Sequence, residues 1–179
     1  MAELLLRKLS QDTDLSDFNC GLAVMDKFIH TELQKVLSAQ QNYSGYYLCI
    51  GTEIVALFVI DIETVIIDED TYDDMQLIYG IEQNSGTEYN SLEILYLAVK
   101  EEYRKQGIGS ICIDKIVSMA EQSSALGVQF ITVDAYKSHA YTAIPFYHRH
   151  NFIDAEYSNP NKNTLRMIRP VYIPPIDIE

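Results

Sequence analysis

One stretch of this chain combines glycines, an arginine and the start of a helix, the groups that together can hold a phosphate. It runs Leu95-Tyr-Leu-Ala-Val-Lys-Glu-Glu-Tyr-Arg-Lys-Gln-Gly-Ile-Gly-Ser110. An apolar run ends at Val99, a short polar turn follows, and Arg104-x-x-Gly107-x-Gly109 opens an amphipathic segment. Glycines there let the backbone approach a ligand closely and take dihedrals that other residues resist. The first amides of a helix have no intrahelical acceptor and lie at the positive end of its dipole, which suits an anion. Arg104 and Lys105 add fixed positive charge beside them. Two other phosphate motifs are excluded. A P-loop needs Gly-x-x-x-x-Gly-Lys-Ser/Thr, which is absent. A dinucleotide fingerprint needs glycine directly after the strand, whereas the gap from Val99 to Gly107 is too long and Cys112 occupies the third small position.

A second chemical candidate is Glu93, the one charged residue inside the apolar run from Leu92 to Val99. Burial makes a carboxylate costly unless it is paired and tends to raise its pKa. That would suit a general base acting through a water; the alternative is a paired or solvated residue at the mouth of the strand. His30, His139, His148 and His150 show no ligand spacing with a nearby Asp, Glu or Cys cluster, so no metal is expected. Lys162, Arg166 and Arg169 either contact phosphate groups or form a solvated strand face.

Downstream lies Ala143-Ile-Pro-Phe-Tyr147-His-Arg-His-Asn-Phe152. Together with the Arg104–Gly109 segment it resembles the GNAT superfamily of N-acetyltransferases, over about Leu92 to Phe152. The resemblance implies that Arg104, Lys105, Gln106, Gly107, Ile108, Gly109 and Ser110 cradle the pyrophosphate of acetyl-CoA. It also implies that Leu97, Ala98 and Val99 lie beside the thioester, with backbone N–H of this strand holding the oxyanion. Tyr147 is implied as the acid that protonates the leaving thiolate; the other reading of a tyrosine, one of thirteen here, is ring packing in a core. Two departures are present: Ala140 stands where the family often has Asn, and Asn151 stands for the Gly of Gly-Phe. Asn is the next best residue for a left-handed helix cap. Phe18-Asn-Cys-Gly21, with Met25 and Phe28-Ile29, is similar to a GNAT subgroup of toxins that acetylate aminoacyl-tRNA, over a much shorter match.

The elements that must position these groups follow from periodicity. Leu4 to Leu9 predicts a strand. Ser16, Asp17 and Asn19 offer caps for one helix whose apolar face is Met25, Phe28, Ile29, Leu33, Val36 and Leu37. Tyr46–Ile50 and Ile54–Ile60 predict a hairpin through Gly51-Thr52-Glu53, after a turn at Asn42–Gly45. Asp61 to Asn90 holds nine acidic residues and no Lys or Arg, with apolar clusters at Val65–Ile67 and Leu77–Ile81, and predicts an ordered acidic insertion with a short helix. Leu92–Val99 predicts a central buried strand. A helix is expected from Ile108 to Leu126, ended by Gly127 in a left-handed cap. Phe130–Val133 predicts a strand, Ala140–His148 a short helix containing Pro145, and Phe152 and Leu165–Ile168 the closing strands. The expected fold is α/β, a GNAT-like mixed and mostly antiparallel sheet with helices on both faces, in one domain over residues 1–179.

Composition sets the remaining bounds. Of 179 residues, 47% are hydrophobic and 22% charged, which is ordinary for a globular domain. Cys20, Cys49 and Cys112 have neither metal-ligand nor redox spacing, so reduced thiols and a cytoplasmic protein are expected. The start is too short and polar for a signal peptide, and no apolar run approaches the roughly 20 residues that span a bilayer. With 13 basic and 26 acidic residues the net charge is −13, a field that repels nucleic acid and attracts cations. The expected function is therefore direct acetyl transfer from acetyl-CoA to a primary amine on a small molecule or peptide. Nucleic acid is expected to be an unlikely partner, no membrane is involved, and a homodimer is left open. Two rivals stand beside this reading: a toxin-type enzyme acting on aminoacyl-tRNA, and a non-catalytic acyl-CoA sensor.

Overall fold

The computed structural model describes residues 3–39, 42–82, 85–155 and 163–174. Among the described residues seven strands hydrogen-bond in the order β1-β2-β3-β4-β5-β7-β6, and five α-helices accompany them. The expected mixed α/β, mostly antiparallel architecture is the one observed. The chain divides into two compact units, Met1–Asp61 with Ile94–Ile116, and Ile62–Glu93 with Val117–Glu179. Strands β3 (Glu53–Ile66) and β4 (Glu88–Val99) and helix α4 (Ile108–Gln122) each contribute to both.

In the first unit, β1 (Leu4–Lys8) runs antiparallel to β2 (Ser44–Ile50), with Leu4 opposite Ile50 and Lys8 opposite Tyr46. β2 turns through Gly51-Thr52 into β3, and Gly51 takes φ 60°, a left-handed value that glycine adopts without cost. The core gathers Leu9, Leu15, Phe18, Cys20, Ile29 and Leu33 against Leu57 and Val59 of β3 and Ala98 of β4. Helices α1 (Ala23–Thr31) and α2 (Leu33–Ala39) supply Met25, Phe28, Ile29, Leu33 and Leu37 to it, at the three- and four-residue spacing of one helical face. Phe28 stacks on Tyr96 with ring centroids 4.4 Å apart.

This apolar face does not belong to a single helix. The helix breaks at Glu32, just after Thr31, whose hydroxyl donates back to the Lys27 carbonyl and so competes with the backbone ladder. Nor do Ser16, Asp17 or Asn19 cap α1, which begins after Leu22 with no side-chain cap. The Asn19 side chain instead accepts the Gly21 N–H at 2.7 Å, a tight local turn that consumes the expected capping group.

In the second unit, β5 (Val128–Tyr136) pairs antiparallel with β7 (Thr164–Pro170), from Phe130 opposite Pro170 to Tyr136 opposite Thr164. The short β6 (Ile153–Asp154) pairs with Ile168 and Met167. Helix α3 (Glu69–Tyr79) starts at Asp68, whose carboxylate accepts the Thr71 N–H at 2.7 Å, and ends at Gly80 with φ 63°. It buries Met75 in a core of Val65, Ile67, Tyr89, Phe130, Ile153, Ala155 and Ile168. Within the acidic segment, therefore, Asp61–Ile66 extend β3, α3 follows, and Glu88–Asn90 already belong to β4.

Two helix boundaries differ from expectation for local reasons. After Gln122 the chain tightens into a 3-10 turn over Ser124–Leu126, because the Ser123 N–H is shared between the carbonyls of Met119 and Ala120. Gly127 then takes φ 75°, as the cap requires. The segment Ala140–His148 is helical only as α5, from Ile144 to His148, with Pro145 in its first turn where a missing N–H costs nothing. Residues 137–143 form a loop closed by a bridge between Lys137 and Thr142. No helix among the described residues is long and apolar enough to cross a membrane.

Candidate active site

β4 ends at Val99 and the polar segment to α4 is tied down at several points of the first unit. The Lys100 N–H donates to the Val55 carbonyl at 2.8 Å, and the Glu101 N–H to the Asn19 carbonyl at 2.8 Å. A 3-10 turn covers Glu101–Tyr103. The Glu53 carboxylate receives both the Lys100 ammonium at 2.5 Å and the Tyr103 hydroxyl at 2.7 Å. These donors hold the Glu53 carboxyl below its ordinary pKa, Lys100 first and then Tyr103, while the carboxylate in turn raises the pKa of Lys100 and of Tyr103. Sequence alone gave no signal for this brace, since its partners lie about fifty residues apart.

Beyond the brace, the backbone takes two left-handed turns, Lys105 at φ 59° and Gly107 at φ 82°. A positive φ on a non-glycine residue is uncommon and costly, and it marks Lys105 as held there by its surroundings. The Gly107 carbonyl accepts the Ile111 N–H, so the helical ladder of α4 starts at Gly107, and the amides of Ile108 and Gly109 lie in its first turn. Among the described residues, and apart from its own chain neighbours and helix backbone, no atom lies within 4 Å of the place a Gly107 Cβ would occupy, which leaves room beside this backbone. The segment Arg104–Ser110 thus has the form expected of an anion cradle: a left-handed glycine, space beside it, and a helix start. Leu97, Ala98 and Val99 are the last residues of the strand leading into it, with Ala98 buried.

Tyr147 is buried at 6% exposure in α5 of the second unit. Phe146 and Phe152 pack edge-on to its ring, with centroids 5.1 and 5.3 Å away. The Phe152 N–H donates to the Tyr147 carbonyl, and Asn151 takes φ 62°, so asparagine does the work of the missing glycine at this helix end. The Ala143 N–H donates to the Tyr136 carbonyl, which fixes the start of α5 to the end of β5. Ala140 is exposed in the preceding loop.

Glu93 is one of several acids around a single guanidinium in the same unit. Arg166 of β7 donates to Glu93 at 2.8 Å, forms an ion pair with Glu63 of β3, and lies 3.5 Å from Asp134 of β5. The hydroxyls of Ser91 and Thr132 donate to Glu63 at 3.2 and 2.5 Å. Burial pushes the Glu93 carboxyl above its ordinary pKa; the Arg166 bond opposes this, and Glu63 adds to it. For Arg166 burial works against the charge, but the three carboxylates outweigh it and hold the pKa above normal. Arg166 therefore faces carboxylates rather than standing as a phosphate ligand. Arg169 is buried, donates to the His150 and Pro170 carbonyls, and lies 6.0 Å from the Phe152 ring centre. Lys162 lies outside the described residues.

The cysteines are free and buried. Burial raises the pKa of Cys112 to about 12 and, with the neighbouring Asp26, that of Cys20 to about 11. Among the described residues no three His, Cys, Asp or Glu side chains are grouped to hold a metal ion.

Comparison with known proteins bears on this arrangement directly. The model of the acetyltransferase (GNAT) domain matches residues 57–154, more than half the chain. No curated protein matches. Among solved structures, AtaTR bound with acetyl-CoA is 20% identical, with a TM-score of 0.72 over 96% of this chain and 95% of that one. AtaT complexed with acetyl-methionyl-tRNAfMet is 19% identical, with a TM-score of 0.72 over 94% and 95%. A KacTA–DNA complex is 18% identical, with a TM-score of 0.69 over 94% of each chain. These likenesses correct the expectation about partners. Proteins with this fold over almost their whole length are found with charged tRNA, with DNA and with an antitoxin, so a small or peptide amine with nucleic acid set aside no longer stands as the partner class. The expectation failed because net charge is a sum over the molecule and carries no information on where cations are placed. The family match and the shared fold agree: this chain belongs to the GNAT acetyltransferase family and is an acyltransferase.

Proposed function

We propose that the chain transfers the acetyl group of acetyl-CoA to the α-amino group of an aminoacyl-tRNA. The observation that carries this reading is the likeness, over 94% of the chain, to AtaT complexed with acetyl-methionyl-tRNAfMet. Phe18-Asn-Cys-Gly21, similar to the toxin-type subgroup, supports it. Acetyl-CoA supplies the acyl group as a thioester, and the residues from Arg104 to Ser110 would hold its pyrophosphate. The left-handed Gly107, the open room beside it and the first turn of α4 fit that group. Backbone N–H of Leu97–Val99 would stabilise the oxyanion as the amine adds to the carbonyl. The Tyr147 O–H would give its proton to the departing sulfur. The proton lost by the amine would pass through water to Glu93, whose raised pKa suits an acceptor, while its bond to Arg166 keeps the carboxylate in one orientation. The single domain expected from length would carry the whole reaction. The test is a competition: labelled acetyl-CoA is incubated with charged tRNA, a lysine peptide and a polyamine together. Label collected on charged tRNA supports the reading, and label collected on the peptide or polyamine alone overturns it.

A further inference from the structure

The Phe18–Gly21 segment has no part in the reaction just described, yet several hydrogen bonds hold it in place. The His30 ring nitrogen Nε2 meets the Phe18 carbonyl at 2.7 Å. The Asn19 side chain accepts the Gly21 N–H at 2.7 Å, and the Asp26 carboxylate accepts the Cys20 N–H at 2.7 Å. Gly21 takes φ 75°, and a Cβ there would lie 2.8 Å from the Glu101 carboxylate. Phe18 and Cys20 are buried in the core that also holds Ala98 of β4. The turn is thus anchored by α1 and by the core, and one of its backbone carbonyls reaches the segment after β4. That acceptor, the Asn19 carbonyl, takes the N–H of Glu101.

Glu101 is the first residue of the 3-10 turn that leads, three residues on, to Arg104. The Arg104 N–H donates back to the Glu101 carbonyl, and the Arg104 charge is felt by the Cys20 thiol. We propose that Asn19–Gly21 is a positioning element for acetyl-CoA: by holding Glu101 it sets where Arg104 and the amides of Gly107–Gly109 stand against the pyrophosphate. The segment similar to the toxin-type subgroup then serves the donor side of the reaction and not the choice of acceptor. This rests on the reading of Arg104–Ser110 as the pyrophosphate cradle.

The expected consequence is selective, because a displaced cradle should weaken only contacts to the nucleotide end of the donor. Three variants separate the possibilities. Asn19→Ala removes the side-chain bond of the turn, Asn19→Ser keeps a weaker version of it, and Gly21→Val forces a branched side chain into a left-handed backbone. Calorimetry is done with acetyl-CoA and, by displacement, with S-acetylpantetheine, which lacks the pyrophosphate. Asn19→Ala and Gly21→Val should weaken acetyl-CoA binding on the order of tenfold and leave S-acetylpantetheine within about twofold of wild type, with Asn19→Ser between wild type and Asn19→Ala. Equal loss for both ligands would mean general damage and would overturn the proposal, as would unchanged acetyl-CoA affinity in variants that melt cooperatively. An altered KM for charged tRNA with unchanged donor affinity would assign the segment to the acceptor and overturn it too. Should Gly21→Val fail to fold, the two Asn19 variants still decide. Arg104→Ala is the control: if it also binds acetyl-CoA like wild type, the cradle itself is misplaced and the failure lies in that reading.

Discussion

Tyr147→Phe removes one oxygen and leaves the buried ring between Phe146 and Phe152 in place. If the hydroxyl protonates the leaving sulfur, kcat should fall on the order of a hundredfold while acetyl-CoA affinity stays within about twofold. An unchanged kcat would return Tyr147 to a structural role. The motif that singles this residue out is local: Ala143, Tyr147 and Phe152 lie within one short stretch. The setting of Arg166 was not legible in the sequence. Its partners Glu63, Glu93 and Asp134 come from three other strands, as far as 103 residues away along the chain, so only strand pairing could bring them together. Read alone, a basic residue on a closing strand suggests phosphate or solvent. In place it is held among three acids, and that pairing accommodates Glu93 within the apolar run from Leu92 to Val99.

The element that matters most is the segment joining β4 to α4. Replacing Gly107 by Val would put a branched side chain at φ 82° and fill the space beside the backbone, and Arg104→Ala would delete the charge. Each should weaken acetyl-CoA binding by about tenfold or more, measured by calorimetry on folded protein. Wild-type affinity in both would remove the assignment. The brace behind this segment makes a separate prediction through pH. The Glu53 carboxyl is held below its ordinary value of 4.5 by Lys100 and Tyr103. Because the folded pKa lies below the unfolded one, the brace stabilises the protein above pH 4.5, and that contribution is lost as pH falls through the folded pKa. Denaturant midpoints of wild type and Glu53→Gln should therefore differ at about pH 7 and draw together as pH falls below 4.5. A gap that does not change with pH would mean the carboxylate charge is not what holds the turn. The helix start and the glycine cap were readable from periodicity and composition. The division of the first helix at Glu32 was not, because the apolar spacing continues across the break and only the Thr31 side chain signals it.

Across the whole molecule, charge is the property that most misled. A net charge of −13 argues against a polyanionic partner, yet the fold is shared with proteins found with tRNA and DNA. Basic residues remain exposed at several places, among them Arg7, Lys8, Lys105, Lys115 and Arg149, and a few such groups outweigh a distant excess of acid once screening limits each charge to a Debye length of about 8 Å. The family was legible because the resemblance rests on segments of fixed spacing. The acceptor was not, because no comparably compact motif in the sequence points to it. The acceptor can be identified chemically. Charged tRNA and uncharged tRNA are each incubated with the protein and acetyl-CoA, the ester is cleaved by mild alkali, and the released amino acids are weighed by mass spectrometry. N-acetylated amino acid is expected from charged tRNA only, formed in proportion to CoA released. Free CoA release with unmodified amino acids, or acetylation of uncharged tRNA, would contradict this expectation.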